Sequence, residues 1–189
     1  KDQNYFSATS SLATLDMADK RPDDARQRFQ AVLSRDPKNA RAMVALALLL
    51  NSTGSKPAEV AELLERAVKE NPGDVAARLA QIDFLLARYD TKAAIASAEA
   101  ALAAVPNDLS LLDALGRAQI AAGNMRQAVA TFTKVTTNKP NSLQGHLKLA
   151  DAYLAANDQE NAARVLKRAL EIAPDSVVAR RSLVMVAVS

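Results

Sequence analysis

Large and small apolar residues recur in a fixed order along this chain. In the segment 109–142, Leu112 and Gly116 come first, and Ala128 and Phe132 follow. The small residues allow two helices to approach closely, and the large ones fill the space between them. This order returns in neighbouring segments, and it predicts helices over about 6–19, 22–35, 40–53, 57–70, 74–88, 91–104, 108–122, 125–138, 142–156, 159–172 and 176–188.

Prolines mark the boundaries of this repeating pattern. A proline cannot continue a helix, because it lacks a backbone N–H and its ring clashes with the preceding turn. Each of these prolines is followed within two residues by an Asn, Asp or Ser that can cap the next helix. The prolines lie 35, 34, 34 and 34 residues apart, at Pro37, Pro72, Pro106, Pro140 and Pro174. The chain is therefore predicted to repeat a unit of two helices.

The repeat resembles the tetratricopeptide repeat (TPR) family, whose unit is two antiparallel helices in 34 residues. The family places Leu at repeat position 7, Gly or Ala at position 8 and a large apolar residue at position 24, as Leu149, Ala150 and Leu166 stand here. The resemblance implies an all-α, right-handed α-solenoid of five helical hairpins plus one extra C-terminal helix. It also implies a single domain over 1–189, with repeats at about 6–39, 40–74, 75–108, 109–142 and 143–176 and a partial sixth at 177–189.

Three parts of the chain depart from the regular repeat. The second repeat has one extra residue around 51–57, and the third puts Gln81 at position 7 and bulky Ile82 at the small-residue position. The second helix of the third repeat has only small residues on its inner face, at Ala94, Ala98 and Ala101. We expect that helix to approach its neighbours unusually closely or to leave unfilled space. In the partial sixth repeat, Leu183 is expected to dock on the fifth.

Charge is unevenly distributed over the 189 residues, whose net charge is +3. Residues 1–116 carry 14 Lys and Arg against 16 Asp and Glu, whereas residues 117–189 carry 10 against 5. The cations are scattered and lack interleaved aromatic residues, which is typical of a solvated helical face and does not favour nucleic-acid binding. The longest apolar run, 42–50, is too short for a membrane span, which takes about 20 residues.

Residue types that carry chemistry are few and have structural interpretations. The chain contains no Cys, which excludes disulfides and a thiol nucleophile. The single histidine, His146, falls at an inward-leaning helix position, so we expect a packing role. Asp23 and Asp24 stand at a helix start, where the helix dipole favours acids. The glycines do not form a phosphate loop, because Gly54 and Gly123 fall at turns within repeats. The sequence therefore predicts no catalytic residue, metal site or cofactor, and no enzyme.

A groove for a partner is implied by the family resemblance. In TPR proteins, positions 2, 5, 9 and 12 of the first helices line a concave surface. Here Asp83, Arg117 and Asp151 would form a row of alternating charge beside an apolar strip, which suits a peptide or protein partner. The predicted partner-binding residues are Leu79, Asp83, Leu86, Asp113, Arg117, Ile120, Leu147, Asp151 and Leu154. Alternatively, the charged row pairs with itself across repeats, and a neighbouring solenoid turn or a second chain covers the apolar strip.

A second resemblance concerns short sequence segments within the repeats. Segments such as Leu-Gly-Arg-Ala-Gln-Ile-Ala-Ala-Gly-Asn, at 115–124, are similar to segments of bacterial TPR proteins of the exosortase (PEP-CTERM) system. That similarity implies a structural role in envelope assembly, exopolysaccharide machinery as a partner, and a periplasmic or outer-membrane-associated location. Because the chain begins at Lys1 without an initiator Met or an apolar signal segment, we expect it to be a fragment of a longer protein. A protein-interaction scaffold remains the leading hypothesis.

Overall fold

The computed structural model describes residues 3–187 and, in that range, contains eleven α-helices and no strand. The helices are α1 (Gln3–Ala18), α2 (Pro22–Arg35), α3 (Ala40–Ser52), α4 (Pro57–Glu70), α5 (Val75–Ala87), α6 (Thr91–Ala104), α7 (Leu109–Ala121), α8 (Met125–Asn138), α9 (Leu143–Ala155), α10 (Gln159–Ile172) and α11 (Val177–Ala187). Among these helices, none has both the length and the apolar character needed to cross a membrane. The all-α prediction is confirmed. The predicted end of the last helix at 188, and Ser189, lie outside the described residues.

The predicted helix ends are close to the observed ones. Only the start of α1 differs by three residues, since the helix begins at Gln3 and the sequence predicts a start at 6. The other ends described here agree within one residue. The repeated prolines and the polar residues after them precede each first helix from α3 onward, as the sequence predicts.

Polar caps begin the first helix of each hairpin after a proline. The Asn39 side chain accepts a hydrogen bond from the Ala42 N–H at 3.0 Å, and Asp108 accepts one from the Leu111 N–H at 2.9 Å. The side chains at the equivalent positions accept corresponding bonds, at Asp74, Ser142 and Ser176. Each cap satisfies a backbone donor that has no partner within its own helix.

The turn within each hairpin places one residue in the left-handed backbone conformation. These residues recur at the repeat spacing, with φ between 58° and 79°, at Lys20, Gly54, Tyr89, Gly123 and Asn157. Glycine adopts this conformation without the steric cost that a Cβ imposes. Gly54 and Gly123 are thus turn residues, as predicted. The extra residue of the second repeat also lies in the turn, because four residues separate α3 from α4 and three separate the helices of the other hairpins.

The chain divides into two compact units, Lys1–Phe84 and Leu85–Ser189. The first unit holds α1 to α4 and most of α5, and the second holds the end of α5 and α6 to α11. The boundary falls within the third repeat, which departs most from the family pattern. A single continuous domain over 1–189 stays a prediction.

In the first unit, α1 pairs with α2 and α3 with α4, and α2 packs against α3. The core that they share includes Phe29, Leu46 and Leu64. Leu12 stands at the same repeat position as Leu46, yet it is 44% exposed where Leu46 is 4% exposed. The difference arises because α3 follows a second helix that it packs against, whereas α1 follows none among the described residues. Leu12 therefore does not fill a core position, although it stands at repeat position 7.

A buried ion pair joins the first hairpin. The Asp16 carboxylate is 1% exposed and accepts a hydrogen bond from Nε of Arg28, and Nη2 of Arg21 lies 3.0 Å from its Oδ1. The hydrogen bond from Arg28 holds the pKa of Asp16 below its ordinary value, against the opposing effect of burial. Through Asp16, these ion pairs connect the end of α1 to Arg21 in the turn and to Arg28 on α2.

In the second unit, each helix from α6 to α11 packs against the next. Leu112 and Phe132 from one hairpin share a core with Leu149 and Leu166 from the following one. Leu183 of α11 packs against the same core, so its predicted docking is confirmed. Apolar contacts between successive hairpins thus run to the end of the described residues.

The third repeat reverses the usual distribution of large and small residues. The small-residue face of α6 is fully buried, with no exposed area at Ala94, Ala98 and Ala101. Ile82 on α5 also has no exposed area. At repeat position 8 the third repeat therefore has Ile82 where the fourth has Gly116, and at position 24 it has Ala98 where the fourth has Phe132.

Gly116 and Phe132 give a sharp test of the close approach of α7 and α8. A Cβ added at Gly116 would meet Cε2 of Phe132 at 2.6 Å and Cε1 at 2.9 Å, and that ring is 1% exposed. Overpacking costs about 1–3 kcal/mol, which exceeds the gain of about 1 kcal/mol from replacing a helical Gly by Ala. We expect Gly116→Ala to lower the free energy of unfolding by about 1 kcal/mol, measured by urea denaturation.

Gly145→Ala on α9 is the matched control. Its Cβ would meet the nearest atoms, Oγ of Ser142 and Cγ1 of Val135, at 3.3 Å, so a small displacement is enough to accommodate it. Because the gain from replacing a helical Gly is offset only in part by this contact, the free energy of unfolding should stay equal or rise by up to about 1 kcal/mol. Equal effects of the two substitutions would contradict a close approach at Gly116.

Candidate functional site

Four charged side chains lie on neighbouring first helices of the second unit. Asp113 and Arg117 come from α7, and Lys148 and Asp151 come from α9; we call these four residues the charged cluster. The Asp113 carboxylate accepts a hydrogen bond from Nζ of Lys148, and Nε of Arg117 lies 3.3 Å from its Oδ2. Asp113 therefore connects the two helices.

Pairing across hairpins occurs within this cluster, between residues that lie outside the predicted row of Asp83, Arg117 and Asp151. It joins Asp113 to Lys148, whereas Arg117 pairs with Asp113 four residues away on the same helix. The side chains of Asp113 and Lys148 are 24% and 29% exposed, and that of Arg117 is 43% exposed. Pairs so accessible to water contribute about 0–1 kcal/mol each. Their main effect is to hold the charges in defined positions.

Lys148 was not among the residues that the sequence predicted. It stands at repeat position 6, outside the four groove rows of the family pattern. It follows Asp113 by 35 residues, which is one repeat plus one residue. That spacing places it at nearly the same level on the neighbouring first helix. Opposite charges separated by one repeat plus one residue are the signal that could have identified the pair.

Asp151 has a different environment from Asp113. The residue is exposed to solvent, yet packing around its carboxyl group removes part of its hydration and raises its pKa above the ordinary value. The positive charge of Lys148 acts in the opposite direction and lowers that pKa. Lys148 therefore interacts with both carboxylates of the charged cluster.

The predicted apolar strip is partly used for packing. Ile120 and Leu147 are half-buried and lie against the core of the second unit. Leu86 and Leu154, also in the second unit, are half-buried as well. Each of these side chains has only part of its apolar surface available to a partner.

In the first unit, the two predicted site residues lie on α5. Leu79 is half-buried and Asp83 is exposed. More exposed apolar side chains occupy groove positions of α1 and α3, where Met17 is 37% and Leu48 is 53% exposed. The sequence does not distinguish these from Leu79, because exposure depends on the size of their neighbours.

His146 has the packing role that the sequence predicts. It is 8% exposed, and its Nδ1 lies 2.9 Å from the carbonyl oxygen of Ser142, one turn earlier. Within residues 3–187, no group of three or more His, Cys, Asp or Glu side chains is arranged to hold a metal ion.

A family model described as tetratricopeptide repeat matches residues 11–63, 54–108 and 114–177. A curated relative, cellulose synthase operon protein C of Pseudomonas fluorescens (strain SBW25), is 34% identical over 97 residues. That match covers 51% of this chain and 8% of the relative, so this chain spans only a small part of the relative's length.

Several solved structures have a similar fold. MamA is 19% identical with a TM-score of 0.70, covering 90% of this chain and 93% of its own. YrrB, described as a TPR protein with an unusual peptide-binding site, is 18% identical with a TM-score of 0.68, covering 92% and 89%. A thermophilic TPR protein of Thermus thermophilus is 18% identical with a TM-score of 0.67, covering 97% and 99%. At these identities the likeness establishes the fold, a TPR solenoid of helical hairpins.

Removing the charge of Lys148 tests the electrostatics of the charged cluster. Because this cation lowers the pKa of Asp151, Lys148→Met should raise it further, measured by NMR titration of the carboxyl carbon. A folded-state pKa above the unfolded value means that protonation favours the folded state. The stability associated with Asp151 is then fully present below the unfolded pKa and is lost as the pH rises through the folded one.

Arg164→Met on α10 is the matched control, since Arg164 is exposed and donates a hydrogen bond to Asn161 on its own helix. This variant should leave the pKa of Asp151 unchanged. If Lys148→Met also left that pKa unchanged, the two groups would not be coupled.

Proposed function

The chain belongs to the tetratricopeptide repeat family, and from this premise we propose that it is a scaffold that binds a peptide or protein partner on its first helices. The proposed contact residues are Leu79, Asp83, Leu86, Asp113, Arg117, Ile120, Leu147, Asp151 and Leu154. The charged cluster, which adds Lys148 to three of these residues, is the part of this surface that we expect to orient the partner. The proposal assigns no catalytic role to the chain.

The observation that carries this proposal is the hydrogen bond from Lys148 to Asp113 between α7 and α9. It holds charges of both signs at the surface of neighbouring first helices, with Arg117 and Asp151 exposed beside it. Charges in fixed positions select the orientation and register of a partner more than they add raw affinity. A peptide with an acidic and a basic residue at suitable spacing fits this arrangement.

Apolar contacts supply the other part of such an interface. Ile120, Leu147 and Leu154 retain partial exposure on the same two helices. Burial of apolar surface contributes about 25 cal/mol per Å², and oriented polar groups around it give specificity. YrrB, whose fold is similar, is described as having an unusual peptide-binding site, which supports this mode of binding here.

A second proposal is a structural or assembly role in a bacterial envelope exopolysaccharide export system, in the periplasm or at the outer membrane. It is supported by the 34% identity over 97 residues with cellulose synthase operon protein C. Residues 117–189, with 10 Lys and Arg against 5 Asp and Glu, also suit an anionic polymer or partner. The two proposals are compatible if the bound partner belongs to that system.

Affinity capture with paired variants tests both proposals. The immobilised chain would capture partners from a lysate of its source organism, and mass spectrometry would identify them. Arg117→Glu reverses a charge beside Asp113, so the specific partner should be lost or reduced at least about tenfold. A partner from the polysaccharide export machinery would support the second proposal, and a partner unrelated to it would count against that proposal.

Arg164→Glu on α10 makes the same charge change away from the first helices and should retain the partner. Circular dichroism would establish that both variants keep their helix content. If Arg117→Glu captured every specific partner as well as the unaltered chain does, the proposed binding surface would be wrong.

A further inference from the structure

An open recess of about 240 Å³ lies in the first unit, between α1 and α3. Ser10, Thr14 and Met17 of α1 form one side, and Leu48 of α3 forms the other. Phe29 of α2, which is 6% exposed, also lines it. We call this the α1–α3 recess.

The recess exists because small side chains face a large one. Ser10 and Thr14 stand at groove positions 5 and 9 of α1, while Leu48 stands at position 9 of α3. The short side chains on α1 leave space that the core does not fill. Met17 and Leu48 remain 37% and 53% exposed beside that space. Apolar surface is therefore available here to a greater extent than at the half-buried Ile120 or Leu147.

The lining of the recess is mainly apolar, and its polar side chains are the hydroxyl residues Ser10, Thr14 and Ser52. None of the described residues that line it is charged. Two of its hydroxyl groups bond to their own helices, since Thr14 donates to the Ser10 carbonyl at 3.0 Å and Ser52 donates to the Leu49 carbonyl at 2.8 Å. A charged or strongly polar occupant would lose its hydration here without gaining a partner of opposite charge. Electrostatic complementarity therefore favours an uncharged occupant.

We propose that the α1–α3 recess is a binding site for one uncharged apolar side chain, such as Leu, of a partner peptide. The size is appropriate, because an apolar cavity of about 150 Å³ accommodates benzene, whereas pockets for drug-sized ligands start at about 300 Å³. The inference rests on the proposed scaffold function and adds the chemical class of the anchor. The anchor residue inserts between Met17 and Leu48 and contacts the Phe29 ring.

The four methionines make this site directly measurable. Met17 lines the recess, Met43 is 1% exposed in the core, and Met125 and Met185 lie in the second unit. The chain would be labelled with ¹³C at the methionine methyl groups and titrated with N-acetyl-leucine amide. The Met17 methyl signal should shift and saturate with a dissociation constant in the millimolar range, while the other three stay in place.

Matched controls distinguish binding at this site from non-specific binding of the probe. N-acetyl-asparagine amide has nearly the same shape as the probe but a polar side chain, and it should cause no shift. Leu48→Ser should weaken the response of Met17 at least about threefold. Leu15→Ser, at a side chain 59% exposed on α1 and outside the recess, should leave it unchanged. Both replaced residues are exposed, so both variants should fold.

Three outcomes would overturn the proposal. The first is no shift at Met17 up to the solubility limit of the probe, and the second is an equal shift at Met185. The third is a Met17 signal that moves with protein concentration alone, which would mean that a second copy of the chain occupies the recess.

The test does not depend on finding the natural partner. If Met17 responds as expected while Arg117→Glu retains every specific partner, the recess is supported and the proposed contact surface fails. If Met17 does not respond while Arg117→Glu loses its partner, the recess proposal fails and the scaffold proposal stands.

Discussion

Each helix of this chain depends on burying an apolar face against a neighbouring hairpin. A single helical hairpin cannot bury its apolar surface alone, so repeats of this kind are stable through their neighbours. In the second unit, Leu112 and Phe132 share a core with Leu149 and Leu166 of the next hairpin. The helices come close because Gly116 has no side chain at the point where the Phe132 ring packs.

This requirement also determines which residues are available for function. Stacking uses the inward positions of each hairpin, so the groove positions of the first helices are free to differ between repeats. In the second unit, the groove positions hold Asp113, Arg117 and Asp151 of the charged cluster. Asp113 accepts a hydrogen bond from Lys148. In the first unit, the groove positions hold the small hydroxyl residues of α1 and the exposed Leu48. The same fold therefore presents chemically different surfaces in the two units.

Features with a local cause were predictable from the sequence. A cap such as Asn39 and a left-handed turn residue such as Gly123 act within a few residues, so pattern and spacing identify them. Features that depend on a neighbouring helix were not predictable from the sequence. Leu12 is exposed because no described helix precedes α1, and Ile120 is half-buried because the core reaches it. Lys148 was missed because its partner lies one repeat away, outside the family's groove positions.

The most direct test of stacking is the unfolding temperature of a chain that lacks residues 143–189. Those residues supply Leu149 and Leu166, which cover Leu112 and Phe132 in the shared core. Exposing a large buried side chain costs about 1.5–3 kcal/mol, and 1 kcal/mol lowers the Tm of a chain of this size by about 2–4 °C. The Tm should therefore fall by about 10 °C or more. An unchanged Tm would mean that the remaining hairpins do not depend on their neighbours, which would contradict stacking as the source of stability.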